Sequence, residues 1–161
     1  MTSTATVPTL TLRPVVPADD AFLRRLYAST RAAELEVVAW SAAEKSDFIN
    51  MQFDAQSRHY AQAYANSSFE VIEVDREPAG RLYLAVSPAE MRIVDIALLP
   101  QHCGHGIGTG LLQDILGTAR MSGRTVSIHV ELENPARRLY ERLGFVAKEQ
   151  RGLHTFMEWK G

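Results

Sequence analysis

The hydrophobic positions along this chain change their spacing repeatedly, and each change marks an element. Thr9 to Arg13 reads as a short strand stopped by Pro14, after a loose tail over residues 1–8. Pro17-Ala-Asp-Asp then opens a helix carrying Phe22, Leu23, Leu26 and Tyr27. Val37 to Ser41 is a break, and a second helix spans Ala42 to Tyr64 with Phe48, Met51, Phe53 and Tyr60. Phe69 to Val74 and Arg81 to Val86 read as strands around a hairpin turn, Asp75 through Gly80. Met91 to Leu99 is the next strand; its apolar run, Ile93 to Leu99, ends at Pro100. Ile107, Leu111, Leu112, Ile115, Leu116 and Ala119 then recur at helical spacing. Thr125 to Glu131 predicts a strand, and a helix starts at Asn134. Two last strands lie near Val146 to Glu149 and His154 to Trp159. The order is β-αα-βββ-α-β-α-ββ, an α/β (α+β) chain.

Between the strand that ends at Pro100 and the helix that opens at Ile107 lies a glycine-rich loop, with Gly104, Gly106 and Gly108 at alternate positions. Glycines there let the backbone turn sharply and come close to a ligand. Free N–H groups of the loop and first helical turn, with the helix dipole behind them, form an anion site suited to a pyrophosphate. A P-loop needs Lys-Ser/Thr after its last glycine, and none follows here. A dinucleotide fingerprint needs Gly-x-Gly-x-x-Gly, and these glycines are spaced by two throughout.

Pro100 to Gly108 resembles the acetyl-CoA loop of the GNAT N-acetyltransferase superfamily, Arg/Gln-x-x-Gly-x-Gly/Ala, with Cys103, Gly106 and Gly108 in its slots. Cys103 stands where the family usually has Arg or Gln, which leaves the binding to backbone amides. Residues 129–145 resemble the second GNAT signature through Asn134, Tyr140, Gly144 and Phe145, with the alanine shifted by one. Local physics supports the same stretch. Asn134 is a good N-cap, Pro135 a good first helical residue, and Gly144 a helix terminator.

The resemblance implies one GNAT domain over residues 1–161, with a mixed central sheet splayed at the cofactor cleft and helices on both faces. It implies transfer of an acetyl group from acetyl-CoA to an amine by direct attack in a ternary complex. The cofactor would be held by Ala97, Leu98, Leu99, Cys103, Gly104, His105, Gly106, Ile107, Gly108, Thr109, Asn134, Arg137 and Tyr140. Tyr140 matches the family's general acid for the CoA thiolate. For the base, His129 titrates in the right range, Glu131 follows on the same side of the strand, and Asp95 is a third candidate. Arg92 occupies a slot where several relatives carry a catalytic glutamate. The family builds its acceptor site from the first two helices, their connection and the last hairpin, which points to Trp40, Met51, Gln52, Phe53, Gln56, Tyr60 and His154. The acceptor is a small-molecule amine, an amino acid or a protein N-terminus. A different class of reading is a non-catalytic acyl-CoA-binding sensor or interaction module.

Composition narrows the rest. At 161 residues the chain can bury a real core, and its 46% hydrophobic content is ordinary for a globular protein. A formal charge of −2 gives no reason to expect nucleic-acid or anionic-membrane binding. One cysteine, Cys103, forms no intrachain disulfide, and the cytoplasm is the simple compartment. The first residues have neither the basic nor the apolar region of a secretory leader, and no apolar run reaches the ~20 residues of a membrane span. No His/Cys spacing resembles a zinc site. A monomer or a homodimer fits equally.

Overall fold

The computed structural model describes residues 7–132 and 134–161. Its elements are β1 (Leu10–Pro14), α1 (Asp20–Glu36), α2 (Ala42–Ala63), β2 (Ser68–Val74), β3 (Glu77–Val86), β4 (Glu90–Leu98), α3 (Ile107–Ser122), β5 (Thr125–Glu131), α4 (Arg137–Arg142), β6 (Val146–Arg151) and β7 (His154–Trp159). The seven strands follow the order β1-β2-β3-β4-β5-β7-β6. β4 and β5 are parallel, as the helical crossover α3 requires, while β1/β2, β5/β7 and β6/β7 are antiparallel. The expected mixed sheet is therefore present. The chain packs as two units: residues up to Ala65 with Phe69–Leu82 and Ala97–Gln101, and Asn66–Ser68 with Tyr83–Ile96 and His102–Gly161.

The first unit is built on the stripes of α1 and α2. Phe22, Leu23, Leu26 and Tyr27 meet Ile49 and Phe53, and the cluster closes on Val71 and Leu99. Each such side chain contributes about 1.5–3 kcal/mol by leaving water. Ser41 caps α2 by accepting from the Glu44 N–H at 3.1 Å. A partly buried ion pair fixes the entry to α1. Arg13 spans both oxygens of Asp19 at 2.8 and 2.9 Å and reaches Glu73 at 3.0 Å. Arg13 holds the Asp19 carboxyl below the usual carboxylate range, and the Val16 N–H adds to this.

In the second unit the register of β5 on β7 sorts the side chains by face. Val126, Ile128 and Val130 lie opposite Trp159, Met157 and Thr155, all buried. With Leu111, Leu112, Ile115, Leu116 and Ala119 of α3 buried as well, this is the apolar side. Ser127, His129 and Glu131 lie opposite Glu158, Phe156 and His154 on the other face. α3 ends at Gly123, in the left-handed region at φ 68°, and the Arg124 N–H returns to Ala119 O at 2.9 Å.

Two local readings are corrected. The β2–β3 turn is not the six-residue stretch Asp75 to Gly80. Asp75 and Arg76 take φ of 52° and 68° and close the hairpin alone, so β3 starts at Glu77. The Asp75 carboxylate accepts from the Thr9 N–H at 2.8 Å, which helps hold a turn that glycine would otherwise favour. At the last helix, Asn134 Oδ1 accepts from the Ala136 N–H at 2.9 Å, as an N-cap does, but regular α-helix begins only at Arg137.

Within β3, a Cβ at Gly80 would collide with the Ala97 carbonyl oxygen, a backbone atom that cannot swing aside. Gly80→Ala is therefore expected to cost roughly 1–3 kcal/mol, read as a lower urea midpoint. An unchanged midpoint would mean that β3 and β4 are not this close.

Candidate functional site

The glycine-rich loop leaves β4 through a short turn, Pro100–His102, and then reverses twice. Gly104 and Gly106 carry φ of 78° and 81°, values that side chains other than glycine rarely adopt. Gly106 thereby becomes the N-cap of α3, and the first intrahelical bond is Gly110 N–H to Gly106 O at 3.0 Å. The N–H groups of Ile107, Gly108 and Thr109 precede that bond and have no acceptor within the helix. A Cβ built at Gly104, Gly106, Gly108 or Gly110 meets nothing within 4 Å. The loop is thus uncrowded at the positive end of a 16-residue helix, a place that fits a phosphate group. Cys103 and His105 are exposed on this loop, and His102 is half-buried.

The β4–β5 ladder pairs Glu90 with Thr125 through Ile93 with Ile128. Beyond that last pair β4 continues to Leu98 and β5 to Glu131. Of the three residues expected along the cofactor arm, Ala97 and Leu98 are half-buried. Leu99 belongs to the first unit's core and gives its N–H to Ala79 O at 2.8 Å.

Tyr140 sits on α4, buried, its ring edge-on to Phe145 with centroids 5.7 Å apart. Burial and, secondarily, the charge of Asp95 push its hydroxyl up to about 12. The phenol therefore holds its proton firmly at neutral pH. Asn134 is exposed, with its side-chain oxygen committed to Ala136. Arg137 is tied to Glu141 at 3.0 Å.

His129 is half-buried on β5. Its Nε2 lies 3.2 Å from Arg151 Nη1, and because a guanidinium only donates, Nε2 is the accepting nitrogen. Burial first, then the charges of Arg92, Arg151 and His154, lower its pKa below the ordinary histidine value. His129 is therefore neutral at pH 7. Glu131 lies two residues further on the same face, opposite His154.

The residues expected to line an acceptor site on α1 and α2 belong to the first unit. Trp40 is exposed and packs edge-on to Phe48 at 5.2 Å, and Met51 is exposed. Gln52 accepts from the Tyr27 hydroxyl at 3.2 Å, and Gln56 from Arg81 at 2.8 Å. Tyr60 lies edge-on to Tyr64 at 6.2 Å. Phe53 is the exception. It is only 4% exposed and packs on Tyr27, because the helical period places it with Ile49 on the core-facing stripe. His154 belongs to the second unit.

Residues 65–147 match the family model of the acetyltransferase (GNAT) domain, just over half of the chain. The chain belongs to the GNAT acetyltransferase family. No curated protein matches it. The GNAT fold recurs in solved structures at low identity. The PaiA N-acetyltransferase of Thermoplasma acidophilum, in complex with coenzyme A, is 17% identical over 95% of this chain and 99% of that one, with a TM-score of 0.71. An acetyltransferase of Thermus thermophilus is 20% identical over 95% and 97%, with a TM-score of 0.68. Arabidopsis thaliana Naa50, bound to the bisubstrate analogue CoA-Ac-MVNAL, is 15% identical over 94% and 99%, with a TM-score of 0.59.

Sequence reasoning missed two groups beside His129, Arg151 and Phe156. The Phe156 ring centroid lies 5.1 Å from that of His129, and the Arg151 guanidinium sits 4.5 Å above the Phe156 ring. A register shift in β6 between Ala147 and Glu149 brings Arg151 opposite His154, on the face of His129. A regular register would turn Arg151 to the other face, and no local sequence signal announces the extra residue. Among the described residues no helix is long and apolar enough to cross a membrane, and no cluster suited to a metal ion occurs.

The pKa of His129 sets a stability trend. The unfolded chain takes up a proton near the ordinary value of 6.5, the folded chain only at lower pH, so stability falls as the pH drops through 6.5. In an NMR titration His129 is expected to have a midpoint below 6.5, and Arg151→Ala to move it upward. A wild-type midpoint at or above 6.5 that ignores the substitution contradicts this arrangement.

Proposed function

We propose that this GNAT chain transfers an acetyl group from acetyl-CoA to the amine of a small molecule, an amino acid or a protein N-terminus. The observation that carries the proposal is the N-terminus of α3, where the left-handed Gly104 and Gly106 lead into a first turn whose Ile107, Gly108 and Thr109 amides have no acceptor within the helix, with no heavy atom within 4 Å of a Cβ built at Gly104, Gly106 or Gly108. The coenzyme A complex of the PaiA enzyme and the CoA–peptide analogue on Naa50 support the same donor on the same fold. The Naa50 ligand also makes a peptide amine a reasonable acceptor class.

Acetyl-CoA supplies, when bound, a thioester open to attack by an amine. The chain's own part is holding the pyrophosphate, orienting both substrates and handling two protons. The α3 amides hold the pyrophosphate without a cationic side chain from the Cys103 slot. Tyr140 keeps its hydroxyl proton, with its pKa at about 12, and is the donor to the departing sulfur. His129, neutral at pH 7, takes the proton that the amine must lose, once Arg151 releases Nε2. Glu131 is the second group on that face able to take it.

Gly108→Glu isolates the donor site. The position has room for a side chain, and a carboxylate in the first helical turn favours the helix. The variant is expected to melt no lower than wild type while its calorimetric binding of acetyl-CoA disappears. Folded wild-type protein that binds no acetyl-CoA, or a variant that binds it equally, overturns the proposal.

Tyr140→Phe is expected to lower kcat by roughly a hundredfold with acetyl-CoA affinity largely kept, measured by thiol release with an amine panel. Full turnover in that variant would remove Tyr140 from the chemistry.

A further inference from the structure

We infer that the amine acceptor carries a carboxylate, received by the side chain of Arg92 with Arg151 beside it over the ring of Phe156. The inference rests on the acetyltransferase reading and names its substrate class. Arg92 is anchored by its stem side alone. Its Nε lies 3.3 Å from Ser127 Oγ and 3.3 Å from Glu90 Oε1. Ser127 is fully buried, which fixes the direction of the side chain. Nη1 and Nη2 of Arg92 make no hydrogen bond to the described residues. A planar two-N–H edge left outward from a fixed, half-buried stem has the geometry that a carboxylate meets with both oxygens.

The surroundings favour an anion. The Arg92 and Arg151 guanidinium groups lie 6.0 and 4.5 Å from the Phe156 ring centroid, and His129 and His154 share this face of the sheet. The carboxylates nearby are Glu90 on Arg92, Glu149 on Arg151, Glu158 held by Lys160, and Glu131 opposite His154. At His129 the cations outweigh them. Arg92, Arg151 and His154 all act to lower its pKa, against which Glu90 acts to raise it. Phe156 supplies an apolar floor; Glu149 takes Nε and Nη2 of Arg151, so the outward edge of Arg92 is the main donor left for an arriving carboxylate.

The same contact connects recognition to proton transfer. Arg151 Nη1 now spends a donor on His129 Nε2. A carboxylate is the stronger acceptor for a guanidinium, so its arrival draws Arg151 away and uncovers the His129 lone pair. Arrival of the anionic end thereby readies the base for the amine end. An acceptor lacking the carboxylate leaves Nε2 covered.

The test pairs probes that differ only in the carboxylate. N-acetylglycine and N-acetylglycinamide are titrated into wild type, Arg92→Gln and Arg151→Gln without acetyl-CoA, with the His129 ring followed by NMR. The acid is expected to shift His129 and raise its midpoint, the amide to leave it, and each substitution to weaken the response to the acid roughly tenfold or more. Turnover is then compared between amino acids and their amides. The acids are expected to be preferred by a similar factor, and Arg92→Gln to bring the ratio near one. Equal responses to both probes, no response to either, or a preference that survives in both folded variants overturns the inference. Acetylation of amides and acids alike would sink this site and leave the acetyltransferase reading intact. A specific response to the acid in a protein that binds no acetyl-CoA would keep the anion site and sink that reading instead.

Discussion

The parallel ladder from Glu90–Thr125 to Ile93–Ile128 stops while both of its strands continue, and the site depends on that early end. A parallel pair is joined only by a long crossover, here α3, so the chain must leave β4, turn sharply and lay a helix before β5 begins. The turn ends in the α3 N-terminus, where the amides of Ile107, Gly108 and Thr109 have no acceptor within the helix. The part of β5 beyond that ladder, paired there with β7, carries His129 and Glu131, and the buried Tyr140 follows on the next helix. Open α/β sheets bind ligands outside the carboxyl ends of their parallel strands for this reason: the backbone there has polar groups left over and a helix N-terminus close by in sequence.

A second feature governs the other face of the same strands. One extra residue in β6, between Ala147 and Glu149, shifts the register so that Glu149 and Arg151 join Phe156 and His154. Side chains in strands alternate, so this single insertion decides whether Arg151 reaches His129 at all. The cost is modest because β6 is a wholly exposed edge strand with no second neighbour to disrupt.

Much of the fold was legible because it is local. The stripes of α1, α2 and α3, the cap at Ser41 and the glycines before Ile107 all act within a turn or two of chain, and they appear where the spacing places them. The Asp75–Arg76 turn was not legible: neither residue is a glycine, and the left-handed backbone there is held partly by Thr9, distant in sequence. Phe53, to which the family's use of the first two helices points as an acceptor-site residue, packs with Tyr27 and Ile49 in the core, a burial that its helical spacing sets. The grouping of Arg92, His129, Arg151 and Phe156 draws on four strands and depends on two registers, one of them shifted. Sequence pattern alone carries no record of such a register.

The exposed edge strand has a bearing on how this chain behaves in a crowded solution. Bare strand edges are templates for another chain, and a flat apolar one invites stacking without limit. β6 presents Lys148, Glu149, Gln150 and Arg151 along its length, all exposed, and its irregular register breaks the even spacing that an incoming strand would have to match. The irregularity that aims Arg151 at His129 therefore also acts as a safeguard, making this border of the sheet a poor partner for indiscriminate strand addition.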